Sequence, residues 1–129
     1  MKVLIVDDEP IIRMDLKELL EENGYTVVGE ASDGETAIHL TRCLKPDVVL
    51  MDIKMPGKMD GLQAARLISE EGICPVVFLS AYNKHELVWD AAIDKETFSF
   101  LAKPVEEKSL LLTLEKIVGR RNCIKREEA

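Results

Sequence analysis

No apolar run in this chain approaches the ~20 residues that carry a helix across a bilayer, so no membrane span is expected. The opening run Val3-Leu4-Ile5-Val6 turns acidic at Asp7 and Asp8. It is too short for a secretory signal and lacks a small-residue cleavage site. Export is therefore not expected, and the cytoplasm is the reading. Cysteine is scarce: Cys43, Cys74 and Cys123 are odd in number and show no CxxC spacing. That argues against a disulfide framework and against a metal knuckle, and leaves reduced thiols as the default. His39 and His85 have no metal-ligand company and read as surface residues. Positive charge is also in deficit, with Lys+Arg 17 against Asp+Glu 24 and a net charge of -7. An acidic body repels nucleic-acid phosphates, so direct nucleic-acid binding by this domain is not expected. No internal repeat, low-complexity segment or interdomain linker interrupts the chain.

What is present fits one domain. The chain has 129 residues, of which 47% are hydrophobic. A chain of that length buries roughly two-thirds of its unfolded surface and needs no staples. Three short runs, Val3-Leu4-Ile5-Val6, Val48-Val49-Leu50-Met51 and Val76-Val77-Phe78-Leu79, are apolar on both faces and rich in β-branched residues. They read as central parallel strands. Thr26 to Ala31 is more polar, and Phe98 to Ala102 alternates at first, as edge strands do. Helical patterns lie between. Ile12, Leu16, Leu19 and Leu20 share one face, with Pro10 near the start and Gly24 past the end. Ala37, Leu40, Thr41 and Leu44 share another, opened by Asp33 as a cap and closed before Pro46. Ala64, Ala65, Leu67 and Ile68 follow Asp60-Gly61 and end at Gly72, and Leu110, Leu114, Ile117 and Val118 form the last helix. A further helix is expected between Asn83 and Ile93. Five successive βα units imply an α/β fold with a parallel sheet and helices on both faces. Residues 1–120 are read as the domain, and 121–129 as a charged tail or the start of a linker.

In open α/β sheets, ligands bind outside the carboxyl ends of the strands. The first strand is followed by Asp7, Asp8 and Glu9, the third by Asp52, the fourth by Ser80 and the fifth by Lys103. Each has a plain reading alone. The first three carboxylates could cap the following helix, Asp52 and Ser80 could be turn residues, and Lys103 could be a solvated lysine. Together they sit at one end of successive parallel strands. Two carboxylates at ~4 Å repel by about 1 kcal/mol in water and ~4 kcal/mol at an effective dielectric of 20. A hard divalent cation relieves that repulsion, and Mg²⁺ is typically held by one or two carboxylates plus a phosphate. A carboxylate nucleophile, a cation, a lysine and a hydroxyl are the parts for phosphoryl transfer to an aspartate.

These segments resemble the receiver domain of two-component response regulators. The matching stretches are Val3 to Pro10, Val48 to Pro56, Asp60-Gly61, Val76 to Ala81 and Phe100 to Pro104, spread over roughly Lys2 to Val118. The resemblance implies a flavodoxin-like, doubly wound sheet of five strands in the order 2-1-3-4-5, with five helices. It implies that Asp52 accepts a phosphoryl group from a histidine kinase. Asp8 and Asp52 would hold Mg²⁺ directly, Asp7 through water, and the backbone carbonyl of Lys54 would be a further ligand. Lys103 would contact the phosphoryl group, and Ser80 would move to hydrogen-bond it, with Ala81 leaving room. Phe100 occupies the aromatic switch position, and Pro104 would follow a cis peptide bond. Lys54 and Tyr82 hold positions that tune self-dephosphorylation. Two departures stand out. Met55-Pro56-Gly57-Lys58-Met59-Asp60-Gly61 is one residue longer than the usual Met-Pro-x-Met-Asp-Gly, and Glu96-Thr97 replaces the usual Gly-Ala before the last strand.

The expected output is a changed surface on the fourth helix, fifth strand and fifth helix, read by an effector domain or a downstream protein. Leu111, Leu112 and Trp89 do not all fit inward faces, so a homodimer favoured by phosphorylation is a further expectation. Ile12 to Leu16 and Val27 to Ala31 look like receivers joined to RNA-binding antiterminator domains. Three readings compete: an unphosphorylated interaction module on the same fold, a metal-dependent phosphatase with an aspartyl nucleophile, and a flavin or nucleotide binder. The phosphatase reading lacks a DxD pair and a cap domain. The nucleotide reading lacks a glycine-rich cradle after the first strand.

Overall fold

The computed structural model describes residues 1–55, 57–72, 74–80 and 98–128, with the side chains of Ser80, Phe98 and residues 120–128 outside that description. The elements run β1 (Lys2–Val6), α1 (Pro10–Glu22), β2 (Thr26–Ala31), α2 (Gly34–Leu44), β3 (Val48–Asp52), α3 (Gly61–Glu70), β4 (Val76–Ser80), β5 (Phe98–Ala102) and α4 (Glu107–Glu128). The strands form one sheet in the order β2-β1-β3-β4-β5, and every neighbouring pair is parallel. Four helices lie among the described residues, one fewer than the five expected. The stretch Asn83 to Ile93 lies outside the described residues, as do Ala81, Tyr82, Trp89, His85, Pro56 and Glu96-Thr97.

The apolar runs become the buried strands because a parallel sheet covered on both faces has no solvent side. β3 is buried at all five positions, whereas β2 has one buried residue in six, as an edge strand does. Alternate side chains point to opposite faces. Leu4, Val6, Val49, Met51 and Phe78 therefore pack with Ala37, Ile38, Ala64 and Ile68 of α2 and α3. Val3, Ile5, Val48, Leu50, Val77 and Leu79 pack on the other face with Leu16 and Leu20 of α1 and Leu110, Leu114 and Ile117 of α4.

Helix ends follow local chemistry. Asp33 caps α2, its carboxylate accepting from the Thr36 N–H at 2.7 Å. Asp60 opens α3 with a reciprocal capping box: its side chain accepts from the Gln63 N–H at 2.9 Å, while the Gln63 side chain accepts from the Asp60 N–H at 3.2 Å. α1 starts with Pro10 at its first turn, and Glu9 makes no side-chain cap there. α4 runs on to Glu128, through the segment read from the sequence as a charged tail. Among the described residues, no helix is long and apolar enough to cross a membrane.

Candidate functional site

β1, β3 and β5 end on the same edge of the sheet, and that edge collects the charged residues. Asp52 is the last residue of β3 and pairs with Leu79 of β4. Asp7 follows β1 directly and is fully buried, while Asp8 is exposed. Carboxylate oxygens of Asp7, Asp8 and Asp52 all lie within 4.8 Å of one another. Lys103, one residue past β5, brings its ammonium to 2.7 Å from Asp7 Oδ2 and 3.4 Å from Asp52 Oδ2. The Lys103–Pro104 peptide bond is cis.

Crowding and burial shape the protonation of this cluster. Burial pushes the Asp52 carboxyl up to about 6, Asp7 and then Asp8 push the same way, and Lys103 opposes them. For Lys103, burial alone would lower the pKa. The hydrogen bond to Asp7 and the charges of Asp52 and Asp7 outweigh it, so the ammonium is held above its ordinary value. Asp7 and Asp52 thus share one ammonium, while Asp8 adds a third carboxylate beside them. Their hard oxygen donors, one set exposed through Asp8, suit a small divalent cation.

Every polar atom of Asp7 is engaged. Its N–H donates to the Ala31 carbonyl of β2 at 3.0 Å. Oδ1 accepts from the Glu9 N–H at 2.9 Å, and Oδ2 accepts from Lys103. Its carbonyl accepts from Arg13 Nη1 at 2.5 Å. The acidic turn therefore has a local structural part, through Glu9, as well as its place in the cluster. Arg13, on α1, also lies 3.5 Å from Glu30 Oε1 on β2. Sequence reasoning gave Arg13 and Glu30 no part in the site. The signal was faint: a lone arginine six residues past an aspartate, reaching a backbone atom.

The remaining candidates sit as follows. Ser80 ends β4 opposite Ala102 of β5, on the same sheet edge. Phe100 of β5 stacks on Phe78, with ring centroids 5.1 Å apart. Lys54 is exposed in the loop after β3. That loop is held to the body by Ile53, Met55 and Met59, which pack against the core below α2 and α3. Two glycines permit the close fit. A Cβ on Gly61 would lie 2.0 Å from the Asp52 carbonyl oxygen, and one on Gly34 would lie 2.8 Å from the Met59 carbonyl. Within the longer loop, Gly57 takes a positive φ with nothing within 4 Å of its Cβ position. Asp60 still caps α3, so the longer loop leaves the helix start in place. A groove of about 640 Å³ opens beside Asp8, between Asp33 and Thr36 on one side and Lys58 and Met59 on the other.

Comparison with known proteins bears on this arrangement. The sequence model of the response regulator receiver domain matches residues 3–115. The chain belongs to this family. It is 44% identical over 119 residues to the transcriptional regulatory protein PdtaR of Mycobacterium tuberculosis, a match covering 92% of this chain and 57% of that protein. The chain thus spans little more than half the length of this relative. The receiver domain of the putative response regulator NarL from Mycobacterium tuberculosis superposes with a TM-score of 0.78 at 32% identity, covering 92% of this chain and 96% of that one. The CheX-CheY-BeF3-Mg+2 complex from Borrelia burgdorferi gives 0.79 at 29% identity, covering 92% of this chain and 89% of that one. This protein is accordingly a receiver domain of the response regulators of two-component systems, with the flavodoxin-like strand order.

Proposed function

We propose that Asp52 accepts a phosphoryl group from a histidine kinase and that the chain switches state when it does. The carrying observation is the convergence of Asp7, Asp8, Asp52 and Lys103 on one sheet edge. An Asp52 carboxylate oxygen attacks phosphorus in line with the donor's phosphorus–nitrogen bond. The new oxygen–phosphorus bond forms as the old bond breaks, and its electron pair leaves on the imidazole nitrogen. The Lys103 ammonium faces the phosphoryl oxygens, where charge develops. Asp8, Asp52 and the Lys54 backbone carbonyl would hold Mg²⁺, with Asp7 acting through water. The ion would supply positive charge against the phosphoryl oxygens and the carboxylates.

Ser80 then donates a hydrogen bond to the attached group. Phe100, already stacked on Phe78, carries the change to the surface of β5 and α4. The protein is a switch whose only catalysis is on itself, adding and hydrolysing its own phosphate. Residues 1–120 form the receiver, and the charged segment beyond it continues α4 as far as Glu128. The protein works in the cytoplasm, and its partners are a cognate histidine kinase and an effector domain or downstream protein, with a phosphorylation-favoured homodimer. The name of its mycobacterial relative fits a transcriptional output. The likeness to receivers joined to RNA-binding antiterminator domains supports an output directed at RNA.

Acetyl phosphate with Mg²⁺ is expected to add one labile phosphate, read by intact-mass spectrometry, and Asp52→Ala is expected to abolish it. Phosphate persisting in Asp52→Ala overturns the assignment of the acceptor. No phosphate on the unaltered chain leaves the unphosphorylated interaction module as the better reading.

A further inference from the structure

The acceptor and its cation need Asp8 aimed at Asp52, yet Asp8 is exposed and stands on a turn. Asp7 Oδ1 spans that turn by accepting from the Glu9 N–H at 2.9 Å, and a second hold comes from outside the cluster. A peptide group is planar, so holding the Asp7 carbonyl oxygen fixes the plane of the whole Asp7–Asp8 peptide unit. With it goes the direction in which Asp8 leaves the backbone. Arg13 Nη1 holds that oxygen at 2.5 Å. The same guanidinium has its Nε 3.5 Å from Glu30 Oε1, and the next residue of β2, Ala31, accepts from the Asp7 N–H at 3.0 Å. β2 therefore grips the Asp7 backbone on both sides, once directly and once through Arg13. The arginine side chain is only 19% exposed, so this contact is shielded from competing water.

We propose that Arg13 is a positioning residue for the cation: by fixing the Asp7–Asp8 peptide plane it aims the Asp8 carboxylate into the cluster, so that cation affinity depends on a residue whose side chain is not a ligand. This rests on the Mg²⁺ reading of the site. Arg suits the task because its planar fork reaches two acceptors at once, which an ammonium does with less order.

The positive charge of Arg13 acts in the opposite direction. A guanidinium beside the acidic turn repels an arriving cation, so removing its charge would by itself tighten Mg²⁺ binding. The sign of the change therefore separates positioning from charge. Mg²⁺ binding to the full chain is measured by isothermal titration calorimetry for the unaltered protein, Arg13→Gln and Arg13→Lys. Thermal unfolding of each without Mg²⁺, and the amide resonances of Asp8 and Glu9, are recorded alongside. Positioning gives Arg13→Gln a loss of about tenfold in affinity, within the range for residues that orient metal ligands. Arg13→Lys, which keeps the charge, falls between the two, and the Asp8 and Glu9 amides shift in both variants before any Mg²⁺ is added. Equal or tighter binding by Arg13→Gln, with normal binding by the unaltered protein, overturns the positioning role and leaves the metal reading intact. If Arg13→Gln does not fold, Arg13→Lys decides: weaker binding supports the role, and unchanged binding overturns it. Absence of Mg²⁺ binding by the unaltered protein overturns the metal reading and this role with it.

Discussion

Replacing Asp52 by Asn is expected to make the cation-free protein more stable. In the fold, burial and the neighbouring carboxylates lift the Asp52 pKa from its ordinary 3.8 to about 6. Each unit is worth about 1.4 kcal/mol, so ionised Asp52 costs the native state ~3 kcal/mol above the higher pKa. The sign follows from proton counting. Between 3.8 and about 6 the folded chain binds more protons than the unfolded chain. Stability from this group therefore falls as pH rises through that window, and is flat above it. Asn keeps the shape and cannot ionise. The attraction of Lys103, 3.4 Å from Asp52, is already contained in that value, so the expected gain stays at ~3 kcal/mol, and Lys103 keeps Asp7 at 2.7 Å. Urea unfolding followed by circular dichroism, in chelator, measures it. The advantage of Asp52→Asn should be full at pH 7.5 and fall by ~2 kcal/mol at pH 4.5. Adding Mg²⁺ at pH 7.5 should stabilise the unaltered protein more than the variant and narrow the gap. A variant no more stable than the unaltered protein at pH 7.5, or a gap independent of pH, refutes the reasoning.

Two further outcomes are expected. Gly61→Ala forces a methyl to within 2.0 Å of the Asp52 carbonyl oxygen unless the backbone moves. It should cost ~1–3 kcal/mol in urea unfolding and slow phosphate uptake from acetyl phosphate, and an unchanged unfolding midpoint would show that the turn opens freely. Beryllofluoride with Mg²⁺, a mimic of aspartyl phosphate, should shift the protein toward dimer in sedimentation velocity, where Leu112, 57% exposed on α4, is available to an interface. An unchanged sedimentation coefficient removes that partner.

Most of the fold was legible because burial on both faces forces continuous apolar runs, and Val48 to Met51 has no other good explanation. The cluster was legible for a related reason: Asp7, Asp52 and Lys103 each stand at the carboxyl end of such a run, and parallel strands bring those ends together. Details that depend on backbone atoms were not. The Arg13 contact ends on the Asp7 carbonyl, a group that every residue carries, so no side-chain pattern marks it. Glu9 was read as one of three helix-capping acids, yet the hydrogen bond in that turn runs from its own N–H to Asp7. The longer loop after Asp52 was visible as a count of residues. Its path was not, because it turns on the positive φ of Gly57 and on the room left beside Gly34 for Met59.

The chain order of the charged residues has a bearing on biogenesis. Asp7, Asp8 and Asp52 all lie in the first 52 residues, at the ends of two strands that neighbour each other in the sheet, whereas Lys103 follows the far edge strand. At ~5–20 residues per second, a ribosome adds all three acids roughly 3–10 seconds before it adds their counter-charge. Until then, only a cation from solution can offset their mutual repulsion. The fifth strand then brings the chain's own ammonium to that edge.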